Sequence, residues 1–192
     1  MAELAHAELW HGEPTGPLRA CVAVGLARAC GSPRVLAYAL SADVMSRVIA
    51  DDAGGLIEAE EAQAAAQARD FSAYVHATLW AGNSLDHWAA QSMIELKRGS
   101  REELAALGAP HTYVAWLSAD EASGLLLIGE WRACLERLRV VLGSTPGPTA
   151  DVKARLTASL LACWQGRRTE AEAHLARAEE LFAEQSGFLA FE

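Results

Sequence analysis

Long hydrophobic runs are missing from this chain. No apolar stretch approaches the ~20 residues a helix needs to cross a bilayer. The opening Met1-Ala2-Glu3-Leu4-Ala5-His6 is acidic, where a secretion signal would be basic and then apolar. Cysteine is scarce as well: Cys21, Cys30, Cys134 and Cys163, with no Cys-x-x-Cys pair. That argues against a disulfide framework or a zinc ribbon and reads the four as reduced core side chains of a cytoplasmic protein. Basic charge is in short supply, with 16 Lys and Arg against 25 Asp and Glu and a net charge of −9. The basic groups that exist, Lys97, Arg98 and Arg101, then Arg132, Arg137 and Arg139, are interleaved with acids and read as solvated helix faces. Direct nucleic-acid binding by this segment is not expected, because phosphate contacts need a basic face.

Catalytic signatures are also absent. There is no phosphate loop, no dinucleotide glycine fingerprint, no His-Glu-x-x-His and no Gly-x-Ser-x-Gly. The six histidines (His6, His11, His76, His87, His111 and His174) are scattered, and Asp120-Glu121 is a two-carboxylate pair too poor in oxygens for a strong cation site. The expectation is a protein that is not an enzyme, with no cofactor and no metal.

What the chain does hold is helix former. It is 52% hydrophobic and rich in Ala and Leu. Only 125–128 and 140–142 resemble strands, and both lie inside helical periods. The fold class is therefore all-α.

The clearest unit is a helical hairpin over 149–183. A Pro146-Gly147-Pro148 break precedes it, and Thr149 or Asp151 is suited to cap its first helix. Val152, Leu156, Leu160 and Cys163 form one stripe. Gly166 ends the helix by taking a left-handed conformation. Ala171, Leu175, Ala178 and Phe182 form the stripe of the second helix, its small residues allowing close approach. Blurred copies recur. Breaks at Gly31, Gly108 and Gly147 lie 77 and 39 residues apart, and a missing break near Arg69-Asp70 halves the longer interval. Turns inside the repeats read Gly54-Gly55, Gly82-Asn83, Gly129 and Gly166. The expected architecture is a tetratricopeptide-like αα-hairpin superhelix of four to five helix pairs. It forms a single domain over 1–192, with a truncated first repeat at 1–30 and repeats at 31–68, 69–107, 108–146 and 147–187. Helices are expected over 2–10, 18–30 (inward stripe Leu18, Cys21, Val22, Leu26 and Ala29), 33–50, 56–68, 71–81, 85–96, 111–128 and 131–142. Lys97-Arg98-Gly99-Ser100 is expected to break or kink the chain. The stub at 188–192 reads as the edge of a longer protein.

Of the six tryptophans, Trp88, Trp131 and Trp164 read as packing between hairpins. Trp116 reads differently. It shares a mixed stripe with Asp120 on one helix, and Arg155 takes its position in the next repeat. First helices of such arrays line the concave groove. Trp116, Asp120 and Arg155, with Tyr113 and Asp43, are therefore the candidate binding residues, expected to converge with Trp116 partly exposed and Arg155 beside Trp116 or Asp120.

The motifs at 127–136 (Leu-Ile-Gly-Glu-Trp-Arg-Ala-Cys-Leu-Glu), 154–158 and 165–178 (Gln-Gly-Arg-Arg-Thr-Glu-Ala-Glu-Ala-His-Leu-Ala-Arg-Ala), and Gly31-Ser32-Pro33-Arg34 onward, resemble the tetratricopeptide-like region of actinobacterial LuxR-type transcriptional regulators, including their large ATP-binding members. The resemblance covers about 26–185. It implies a sensor or interaction segment, set in that family between an ATPase module and a helix-turn-helix domain, neither of which lies in these residues. The expected function is a non-enzymatic module that binds a partner protein or an effector and relays it to attached domains, with self-association also open. The alternative is a helical-repeat protein that sequesters a small molecule, a drug or a metabolite, between hairpins.

Overall fold

The computed structural model describes residues 1–50, 61–62, 71–72, 74–76, 78–79 and 90–184. Every regular element among them is an α-helix, and the fold is all-α, with helices packed in consecutive pairs. The chain divides into two compact units, Met1–Ala89 and Ala90–Glu192. The division falls within the expected 69–107 repeat. Of the expected helix over 56–68 only Glu61 and Ala62 are described, both helical, and the turns at Gly54-Gly55 and Gly82-Asn83, Trp88 and the stub at 188–192 lie outside the described residues.

In the first unit, α1 (Ala2–Trp10), α2 (Gly16–Cys30) and α3 (Pro33–Ile49) each pack on the other two. Gly31 ends α2 in the left-handed region at φ +71°, and Pro33 sits in the first turn of α3, where its missing N–H costs nothing. The core is built on alanine: Ala5, Ala20, Ala23, Ala27, Ala39 and Ala42 surround Leu9, Leu40 and Met45. The stripe expected to face inward on α2 faces out instead, with Leu18, Cys21, Val22, Leu26 and Ala29 all exposed. The reason is steric. Small residues let three helix backbones approach closely, and the close-packed face is therefore the one that carries Ala20, Ala23 and Ala27. His6 joins α1 to α3, with Nδ1 3.0 Å from the Ala2 carbonyl oxygen and Nε2 3.2 Å from Ser41 Oγ. Burial pushes its imidazole pKa below the ordinary value.

The second unit contains α4 (Ala90–Ala106), α5 (His111–Leu127), α6 (Trp131–Leu142), α7 (Pro148–Trp164) and α8 (Arg168–Glu184). α5 is central and packs on α4, α6 and α7, while α8 packs on α7 alone among the described helices. The turns at Gly129 and Gly166 adopt φ of +82° and +73°, as the repeat reading requires. Trp131 and Trp164, each two residues from one of these turns, pack together with ring centroids 6.2 Å apart. No side-chain cap forms at the start of α7. Pro148 opens the helix behind Gly147, and Asp151, expected as a cap, accepts a hydrogen bond from Arg155 instead.

The break expected at 97–100 does not occur, and α4 runs through it. Lys97 and Ser100 are buried on the same side as Met93, Ile94 and Leu104, so packing against α5 holds the helix together across its glycine. Gly99 points away from that face, and a Cβ added there would meet nothing within 4 Å. Gly99→Ala should therefore stabilise the protein by about 0.5–1 kcal/mol, because alanine loses less backbone entropy in a helix. The midpoint of urea denaturation checks this; a lower midpoint would mean that Gly99 is needed for a close contact.

The last hairpin also differs from expectation. Val152, Ala171 and Ala178 are buried as expected, yet Leu156, Leu160, Cys163, Leu175 and Phe182 are exposed. α7 instead buries Ala154, Thr157, Ala158, Leu161 and Ala162. Of the four cysteines only Cys134 is a core residue, and burial raises its thiol pKa to about 11. The other three are exposed free thiols.

Candidate functional site

Of the groove residues, Tyr113, Trp116 and Asp120 lie on α5, Arg155 on α7 and Asp43 on α3. Tyr113 and Trp116, on the first turns of α5, are both half-buried. Asp120, one turn further along, is only 1% exposed and its two oxygens are taken by lysines: Lys97 Nζ on Oδ2 and Lys153 Nζ on Oδ1. Arg155 is committed elsewhere, its Nε donating to Asp151 Oδ1 at 2.8 Å. It also lies close enough to His174 on α8 for its charge, after burial, to help hold that imidazole below its ordinary pKa. The ion pairs formed by these side chains are Asp120–Lys97, Asp120–Lys153 and Arg155–Asp151. Asp43 belongs to the first unit, where it accepts from Arg47 Nε at 2.9 Å. Asp120 is a buried structural ion and cannot offer its carboxylate to a ligand in a groove.

Three arginines expected to be solvated converge on one acid. Glu121, adjacent to Asp120 on α5, is 0% exposed. Arg98 of α4 donates through Nε to its Oε1 at 2.9 Å, and Arg101 of α4 donates through Nε to Oε2 at 3.1 Å. Arg137 of α6 lies against the same carboxylate, with Nη2 3.4 Å from Oε1 and Nε 3.2 Å from Oε2. Three helices are thereby tied to one buried anion. The remaining basic residues named from sequence behave as expected: Arg132 is almost fully exposed in a pair with Glu136 one turn away, and Arg139 is exposed. Asp120-Glu121 is accordingly the centre of a cation-lined cluster of side chains. Among the described residues no group of three or more His, Cys, Asp or Glu is placed to hold a metal ion.

A second surface lies on the last hairpin. Leu156 and Leu160 of α7 and Leu175 and Phe182 of α8 are between 43% and 57% exposed. Ser159 Oγ donates to the Ala171 carbonyl at 2.9 Å, a contact that fixes the register of the two helices and puts Leu156 at about the height of Leu175. All four belong to the apolar stripes legible in the sequence. In the first unit, an open depression of about 400 Å³ is lined by Ala27, Pro33 and Leu36, with the Arg28–Glu61 ion pair at its edge.

Among the described residues no helix is long and apolar enough to cross a membrane. Comparison of the chain with family models, with curated proteins and with solved structures finds no match.

Proposed function

We propose that this chain is a non-enzymatic helical-repeat interaction module that docks a helical segment of a partner protein and relays that binding to attached domains. This is the role implied by its resemblance to the tetratricopeptide-like region of LuxR-type regulators. The observation that carries the reading is the outer face of α7 and α8, where Leu156, Leu160, Leu175 and Phe182 stand exposed while alanines fill the inside. In an array of helix pairs, such a face is covered by the next pair. A partner helix with apolar residues at i, i+3, i+4 and i+7 fits the same position and buries the same side chains. The small-molecule alternative has support from the depression beside Leu36, whose volume is within the range of ligand sites, but whose openness leaves most of a ligand in water.

One experiment separates the two. The double variant Leu156→Glu/Phe182→Glu should lose a partner protein that the wild-type chain enriches from its host cells, while keeping its helix content and melting temperature, since both side chains are exposed. Retention of the same partner by the variant would defeat the proposal. Thermal stabilisation of the wild type by a compound class, lost in Leu36→Glu, would move the function to the depression.

A further inference from the structure

The Glu121 cluster has more cation than its buried acid needs. Three guanidinium groups surround one carboxylate, which leaves two positive charges, and the mostly exposed Glu102, 3.1 Å from Arg101 Nη2, offsets one of them at the rim. Donors are also in excess. Arg98 uses only Nε on Glu121, so its two terminal nitrogens take no partner among the described residues, and 43% of its side chain is exposed. Nη1 of Arg101 and of Arg137 are likewise unused among the described residues. A carboxylate has two oxygens and cannot satisfy three five-donor forks. What Glu121 does is hold them. Its contacts with Nε of Arg98 and Arg101 and with Nε and Nη2 of Arg137 restrain the three guanidinium groups before any ligand arrives.

We propose that Arg98, Arg101 and Arg137 form a phosphate-binding site on the α4–α5–α6 face, with Glu121 as its buried positioning residue. A phosphate group suits the unused donors better than a single carboxylate does. It carries nearly two negative charges near neutral pH and three acceptor oxygens, and the arginine fork matches it with paired N–H groups. The source is either a free phosphate-bearing metabolite or a phosphorylated side chain of a protein, and the chemistry recognised is the same. In a chain of net charge −9, a local positive site is also selective, because the remaining surface repels anions that are not held by a fork. The site is separate from the apolar face of α7 and α8 and does not rest on it.

The test uses the full chain and inorganic phosphate as the probe. Phosphate should raise the melting temperature in a saturable way, beyond sodium chloride at equal ionic strength, and should show measurable heat of binding by calorimetry. Arg98→Gln should weaken that binding roughly tenfold, the equivalent of one charge-assisted hydrogen-bonded contact. Arg98→Lys, which keeps the pairing charge but not the fork, should weaken it too and protects the test if the glutamine variant folds poorly. Arg132→Gln, outside the cluster, should bind phosphate as the wild type does. A phosphoserine peptide binding more tightly than inorganic phosphate would assign the source to protein, and a nucleotide doing so would assign it to a metabolite. Equal shifts by phosphate and chloride, or unchanged binding in both Arg98 variants, would overturn the proposal.

Discussion

Replacing Asp120 with asparagine should destabilise the protein by about 3–5 kcal/mol, the cost of removing one member of a buried ion pair. Lys97 is 1% exposed, and Asp120 takes its ammonium group. Asparagine has the same shape but no charge, so the ion pair that Asp120 gives the buried Lys97 ammonium is lost while the packing around it stays the same. Lys153 is more than one-third exposed and can turn back to solvent, so it contributes little to the loss. The decisive comparison is the double variant Lys97→Met/Asp120→Leu. It removes both charges and should recover most of the stability, since a buried ion pair rarely outperforms well-packed apolar groups of similar volume. Urea denaturation of the wild type, Lys97→Met, Asp120→Leu and the double variant closes the cycle. A loss below about 1 kcal/mol in Asp120→Asn would mean that the Lys97 charge does not depend on Asp120 in solution.

Adjacent leucines supply the second large effect. Leu161→Ala should cost about 2–5 kcal/mol, from lost transfer free energy and a cavity that the surrounding helices cannot fully close. Leu160→Ala, one residue earlier, should stay within about 0.5 kcal/mol of the wild type. Leu161 is 1% exposed and Leu160 is 52% exposed, so the pair differs by face and by nothing else. Equal losses would show that the outer face of α7 is covered in solution by something that buries Leu160 as well, such as a second copy of the chain. That outcome would be visible as a concentration-dependent melting temperature.

How far the chain could be read depends on the residue. The helices at 2–10 and 131–142 and the turns at Gly31, Gly108, Gly129, Gly147 and Gly166 were legible, because a glycine between two apolar periods marks a backbone that must enter the left-handed region. The helix through Gly99 was not. Local propensity argues for a break there, and only the burial of Met93, Ile94, Lys97 and Leu104 on one side overrides it. The faces of α2 and α7 were read backwards for a related reason. Leu18-Val22-Leu26 and Leu156-Leu160 have the period of a core stripe, and the alanines beside them have the same period shifted by one or two residues. Periodicity identifies an apolar face but does not say which of two faces lies close to another backbone.

Of the candidate site, the sequence named Asp120, Arg98, Arg101 and Arg137 but gave them the wrong surroundings. It treated Asp120-Glu121 as a weak cation site and the arginines as solvated. Glu121 is bonded to residues 23, 20 and 16 positions away, on α4 and α6. A signal was present in hindsight: two adjacent acids inside an otherwise apolar helix, which no solvated face would account for. Composition, helical period and glycine placement determined by themselves that this protein is all-α and where most of its helices turn, since those follow from interactions within a few residues. Which face of each helix is inside, and which charges share a buried site, was decided only by the tertiary structure. Both depend on the distance between helices remote in sequence, and that distance sets whether alanine or leucine fits between them and whether a carboxylate meets water or three guanidinium groups.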